Sequence, residues 1–183
     1  IVAALSVATI DGVTFSATSG VSTNNGDILI NADGTLTLNQ QINAGTADVR
    51  LIADGDITQS ATGTIIADEL GVRQQSPGGG NVELGDANDV NTLAIRNDFN
   101  GGTVVFNDTD GLIIDAVSAA SIDGVVFAAT SGVTNNGDIL INADGALTLN
   151  QQVNAGTADV RLMADGNITQ STTGTIIANE LGI

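Results

Sequence analysis

Apolar residues alternate with others along short stretches of this chain, and Gly, Asn and Asp repeatedly cut the alternation. Six openings share this form: DILINADG at 27, DVRLIADG at 48, NVELGDAND at 81, TVVFNDTDG at 103, DILINADG at 138 and DVRLMADG at 159. Each reaches an Asp, Asn or Gly turn and then a second short run, such as TLTL (35–38), DIT (56–58), LAI (93–95) or LII (112–114). A third run often follows, as in TIIA (64–67) and VVFAA (125–129). A period of two is the mark of a strand, and the turn residues mark where strands stop. No apolar stripe at helical spacing persists, because β-branched residues and Asn-Gly breaks interrupt every stretch. The best helical window, IIADELG (65–71), is too short to stand alone.

The openings are 21, 33, 22, 35 and 21 residues apart. Three short strands per roughly 20–22 residues, joined by Gly, Asn and Asp turns, is what one coil of a parallel β-helix requires. The intervals of 33 and 35 predict an extra half-coil or a protruding loop, with Ser76-Pro77-Gly78-Gly79-Gly80 as the candidate. The predicted fold is all-β, a β-solenoid of roughly eight or nine coils and about 40 Å long at ~4.8 Å per coil. The rival is an array of calcium-stabilised immunoglobulin-like sandwiches, for which roughly 100 residues is a natural unit.

A longer repeat contains the short one. Residues 27–71 recur at 138–182, an offset of 111, with six differences in 45 positions: Thr35/Ala146, Ile42/Val153, Ile52/Met163, Asp56/Asn167, Ala61/Thr172 and Asp68/Asn179. Upstream, TIDGVTFSATSGV (9–21) recurs as SIDGVVFAATSGV (121–133) at an offset of 112, with Ser22 the extra residue of the first copy. Residues 1–112 thus form a first, nearly complete period and 113–183 a partial second one, together one continuous solenoid segment. Starting and ending inside a period, the sequence reads as an excerpt from a longer array.

Composition narrows the chemistry. The chain has 183 residues, 42% of them hydrophobic, but only four Phe and no Trp or Tyr. A narrow interior filled by columns of Ile, Val, Leu and Ala suits that usage, since rings are hard to stack coil upon coil. With no Cys or His there is no disulfide framework, zinc finger or Ser-His-Asp catalysis. A net charge of −17, with four Arg and no Lys, excludes wrapping nucleic acid or docking on an anionic membrane.

The segments GDILINADGTLTLNQQINAG, ADVRLIADGDITQSATGTIIADELGVRQQ and NVELGDANDVNTLAI resemble the repeat region of large bacterial exoproteins of the filamentous haemagglutinin type. The resemblance covers essentially the whole chain. It implies a right-handed parallel β-helix, export through a dedicated outer-membrane partner, and an extracellular or cell-surface role in adhesion. The partner it implies is a host or neighbouring-cell receptor or glycan, bound by other parts of the parent chain, with self-association into fibres as a further possibility. Absence of Cys suits export of an unfolded chain through a narrow pore, and a repeat array can fold progressively from the end that emerges first.

No catalytic, cofactor-binding or metal residue is assigned. Asp33, Asp54, Asp86, Asp110, Asp144 and Asp165 stand at or near first turns. A stack of carboxylates could hold calcium, a hard cation that seeks about six to eight oxygens. The same residues serve turns, where Asp bonds its own backbone and a following Gly supplies positive φ. A weak calcium effect is the only cofactor expectation. Glycosidase-type chemistry would need a carboxylate pair beside aromatic platforms; there is no Trp or Tyr, and Asp56 and Asp68 become Asn167 and Asn179 in the second copy. Arg50 and Arg161 occupy equivalent positions, and an ion pair with an Asp of the neighbouring coil is the role expected of them. The chain reads as non-enzymatic.

Overall fold

A computed structural model describes residues 1–5, 8–10, 13–15, 17–97 and 101–183, and between 5 and 16 only the backbone of the strands. It is all-β, with parallel strands stacked as a β-solenoid of about eight turns. Successive turns pair in parallel, so like side chains lie one above another. One interior column runs Leu36, Ile57, Val82, Val104, Ile139 and Val160, all buried, up to the exposed Leu181. A second runs Ile28, Val49, Leu70, Leu93, Ile114 and Leu149. A third runs Ile30, Leu51, Val72, Ile95, Val133, Val153 and Ile176. A sandwich array would need antiparallel sheets packed face to face. Among the described residues, antiparallel pairing is confined to two excursions from the rod.

The six openings do not share one column, contrary to a single file of coils counted from residue 27. Ile28 and Val49 lie in the second column, whereas Val82, Val104, Ile139 and Val160 lie in the first, above Leu36 and Ile57. The missing opening is Leu70, inside the strand Ile65–Gln74, which stacks 21 residues after Val49. The interval of 33 therefore does hold about half a coil. Because Ile114 stands four turns above Ile28, Ile139 falls partway round the fifth turn. Identical sequence is thereby placed on different sides of the rod in the two copies.

The change of phase occurs in the long strand Val82–Asn97. Its pairing with Val104–Asp108 slips between Leu84 and Asn88: Leu84 faces Phe106, while Asn88 faces Asp108. Below this point two short strands with a corner between them cover the side; above it one five-residue strand does. The interval of 35, in turn, holds an excursion over residues 115–132, not an added coil. There Ala116–Val117 pairs with Thr130–Ser131, and Ala120–Ile122 with Val125–Phe127. VVFAA is thus the return strand of a hairpin and not a third run of a coil. The Ser76–Gly80 segment is a wide corner between Gln74 and Val82, closed by a Gly79 amide to Ser76 carbonyl bond of 3.0 Å.

Corners are tight where the repeat is strictest. Ser60 N–H donates to the Leu38 carbonyl, Gly63 N–H to Ser60, and the Gln59 amide to the Gly63 carbonyl. Ser171, Gly174 and Gln170 repeat the set. A Cβ on Gly63 would stand 1.9 Å from the Leu38 carbonyl oxygen, and one on Gly174 1.9 Å from that of Leu149. Gly63→Ala is expected to cost about 1–3 kcal/mol, as overpacking does, read as a lowered urea midpoint.

Candidate functional site

The turn carboxylates do not form one column. Ala32 faces Ala53 and Ala143 faces Ala164, which sets Asp33 beside Asp54 and Asp144 beside Asp165 as two separate exposed pairs. Asp54 and Asp165 each donate their amide to the carbonyl of the Ala one turn below, Ala32 and Ala143. Asp86 lies half-buried within Val82–Asn97, and the exposed Asp110 is one position past the corner. Among the described residues no group of three or more acidic side chains is gathered closely enough to hold a metal ion.

The most elaborate outer surface is built where the second hairpin folds back over the rod. In Ile28–Ala32 and the strand portions stacked above it, alternate residues point outward: Leu29, Arg50, Gly71 and Ala94 form one file. Asn31, Ile52, Arg73 and Arg96 form the next. Phe127 lies fully buried against this face and, with Val117, Ile52 and Ala94, makes a second small core outside the solenoid, flanked by Leu29 and Val125. Only glycine leaves room for the ring: a Cβ on Gly71 would be 2.5 Å from its Cζ.

Arg50 clamps the hairpin from beneath. Its guanidinium bonds Asp48 at 2.9 Å and, from the turn below, Asp27 at 3.3 Å. Its Nε donates to the Ser118 carbonyl at 3.3 Å, and its Cζ stands 6.0 Å from the Phe127 ring centroid. The side chain is 3% exposed, so the charge is enclosed yet matched by two carboxylates and a ring face. Arg73 donates to the Thr130 hydroxyl on the return strand at 3.3 Å. Arg161, the counterpart of Arg50, pairs with Asp159 at 3.2 Å and Glu180 at 3.8 Å on an open surface.

A buried polar knot fixes the slipped register. Asn88 Nδ2 donates to the carbonyls of Leu84, Asp86 and Asn107, while its Oδ1 accepts from Ile65 N–H and the Gln59 amide. Beside it, Asp108 accepts from the amides of Val90 and Asp110. Burial pushes the Asp108 carboxyl up to about 7, against the pull of those two amides. A raised carboxyl means the folded chain holds its proton more tightly than the unfolded one. Its contribution is complete below the unfolded pKa of about 4 and is lost as pH rises through about 7. Stability to urea should therefore fall between pH 4 and pH 7, and Asp108→Asn should flatten that slope.

Sequence reading anticipated the ion pair of Arg50 with an Asp of the neighbouring coil, here Asp27, but missed the hairpin that covers it, though one signal was present. Asp-Gly between alternating apolar residues is a strong hairpin mark, and SIDGVVF carries it. Asp123 and Gly124 have φ of 49° and 82°, both positive as a type I′ turn demands. The equivalent Asp11-Gly12 lies outside the described residues. Comparison with models of known families, with curated proteins and with solved structures returned no match to this chain.

Proposed function

We propose that this chain is a length of the stiff, non-enzymatic rod of a large secreted bacterial adhesin, of the filamentous haemagglutinin type that its motifs resemble. The observation that carries the reading is the column from Leu36 to Val160, which passes through both copies without interruption. Each rung is tied to the next by strand hydrogen bonds along its length, so bending the rod would break many bonds at once. Such a body resists bending and can be lengthened by adding units. Its acidic surface, at −17 for 183 residues, keeps an extended rod dispersed. Receptor or glycan binding then belongs to other parts of the parent chain.

The test is imaging of the secreted parent by negative stain, with antibodies against this segment applied to intact cells. Single rods whose length grows by about 4.8 Å per added turn, and labelling of unlysed cells, are expected. Labelling only after lysis would overturn the reading. A second reading, a filament built by end-to-end strand pairing, draws on the shared parallel register of the two copies, in which coil pairs on coil in the same way. Fibres of indefinite length from the purified segment would favour it.

A further inference from the structure

The heptapeptide Thr-Asn-Asn-Gly-Asp-Ile-Leu occurs twice, at 23–29 and at 134–140. An Asn followed by Gly is open to internal attack, because a residue without Cβ leaves its amide nitrogen unshielded from the Asn side chain. Identical sequence gives the Asn25-Gly26 and Asn136-Gly137 pairs the same intrinsic reactivity. Any difference between them is imposed by the fold.

The fold seats the two copies one residue apart. Val21 and Ser22 face Ile42 and Asn43, whereas Val133 and Thr134 face Val153 and Asn154, the counterparts of Ile42 and Asn43. Ser22, the extra residue of the first copy, thus takes the place of Thr134, and Thr23 takes that of the buried Asn135. The first corner spends five residues, 23–27, between Ser22 and Ile28; the second spends four, 135–138, between Thr134 and Ile139.

In the longer corner both reacting groups are tied. Asn25 Oδ1 accepts from the Thr46 amide at 3.2 Å, and the Gly26 amide donates to Thr23 Oγ1 at 3.3 Å. Asn25 also holds a left-handed φ of 59°. In the shorter corner Asn135 stands where Thr23 stood, and its amide donates to the carbonyls of Gly102 and Asp138. Among the described residues, none bonds the exposed Asn136 side chain or the Gly137 amide. The side chain also stands off the corner above it: a Cβ on Gly45 would be 2.2 Å from Asn25 Oδ1, but one on Gly156 3.5 Å from Asn136 Oδ1.

We propose that Asn136 is a self-modification site, converted to aspartate and isoaspartate with water as the only co-reactant, while the corner of Asn25 protects its twin. The Gly137 nitrogen gives up its proton and bonds Asn136 Cγ. The side-chain nitrogen takes that proton and leaves as ammonia, and a five-membered imide remains. Water then opens the ring. Opening at Cγ leaves aspartate; opening at the main-chain carbon leaves isoaspartate, in which the chain runs through one extra carbon. Either product adds a carboxylate two residues before Asp138. Isoaspartate also lengthens a corner without slack, since a Cβ on Gly137 would stand 2.0 Å from the Gly102 carbonyl oxygen. The seat of Asn135, which bonds that same carbonyl, loosens with it. The inference rests on the fold and the internal repeat, and not on an adhesive role.

The test is incubation of the purified chain near neutral pH over days, with digestion and tandem mass spectrometry to place each conversion. In denaturant the two pairs should react at equal rates, which controls for sequence. In the folded chain Asn136 should react at least about tenfold faster than Asn25, the factor set by two hydrogen bonds of ordinary strength that Asn25 must first break. Thr23→Val removes one of those bonds and should speed Asn25 roughly fivefold. An unchanged rate at Asn136 in that variant checks that the rod is intact. Isoaspartate at 136 should be methylated by an isoaspartyl methyltransferase. Equal rates in the folded chain would overturn the proposal, as would an Asn136 that stays intact while the denatured sample converts. Thr23→Val that leaves Asn25 as slow as before would overturn the protection assigned to its corner.

Discussion

Phe106→Ala is expected to remove about 3–5 kcal/mol of unfolding free energy and to weaken the rod along its length. Phe106 is fully buried, stacked between Leu84 below and Ile141 above. Interior neighbours in these columns are Val, Leu and Ile, so no residue has the reach to close the gap a ring would leave. The rungs above and below are fixed by their own strand hydrogen bonds and cannot settle into it. In a solenoid each rung is stabilised chiefly by its neighbours, and a weak rung weakens the coupling of the two halves. Urea unfolding should show a lower midpoint with either an unchanged slope or, where the halves separate, a second transition. A loss below about 1 kcal/mol would mean the interior is loosely packed.

Phe127→Ala removes the same ring from an equally buried position and should act quite differently. Phe127 belongs to a four-residue core outside the solenoid, with Ile52, Ala94 and Val117. Parallel strand pairing passes beneath the hairpin without using it, from Ile95 to Val133. The expected loss is again about 3–5 kcal/mol, but it falls on the excursion. Amide exchange over 116–131 should quicken roughly a hundredfold or more, while the columns beneath keep their protection. Arg50 retains Asp27 and Asp48 and regains water, so the exposed charge adds little further cost. Exchange that quickens equally throughout the rod would show that the hairpin is part of its cooperative unit.

What the sequence disclosed, and what it hid, follows from the range of the interactions. The alternation in DILINA and DVRLIA is local, and so is the turn chemistry after it; strands and parallel coils were legible from them. Leu70 was hidden because TIIA reads as the third run of the coil before it, and the ADE that leads to Leu70 carries no Asn-Gly or Asp-Gly turn to mark a new opening. The slip at Asn88 was hidden for another reason. NVELGDAND looks like an opening followed by a turn, yet Asn88 spends its side chain on Leu84, Asp86, Asn107, Ile65 and Gln59, and so keeps the chain extended. Arg50 gave away its carboxylate partner in the neighbouring coil, Asp27, but not its burial, which comes from Ser118 and Phe127 far along the chain. The carboxylates at the turns looked like one file because the openings were counted as one file.

The phase change also governs what a neighbour would meet on approaching the rod. The first hairpin is rooted at Val2 and Val21, beneath Leu38 and Ile42, while the second is rooted at Ile114 and Val133, over Leu93 and Ile95. Those roots have different azimuths. A flat wall laid along one flank touches a single hairpin, and a flexible strand must wind about the axis to reach both. Two identical probes, one bound to each hairpin, would therefore stand on different sides of the axis.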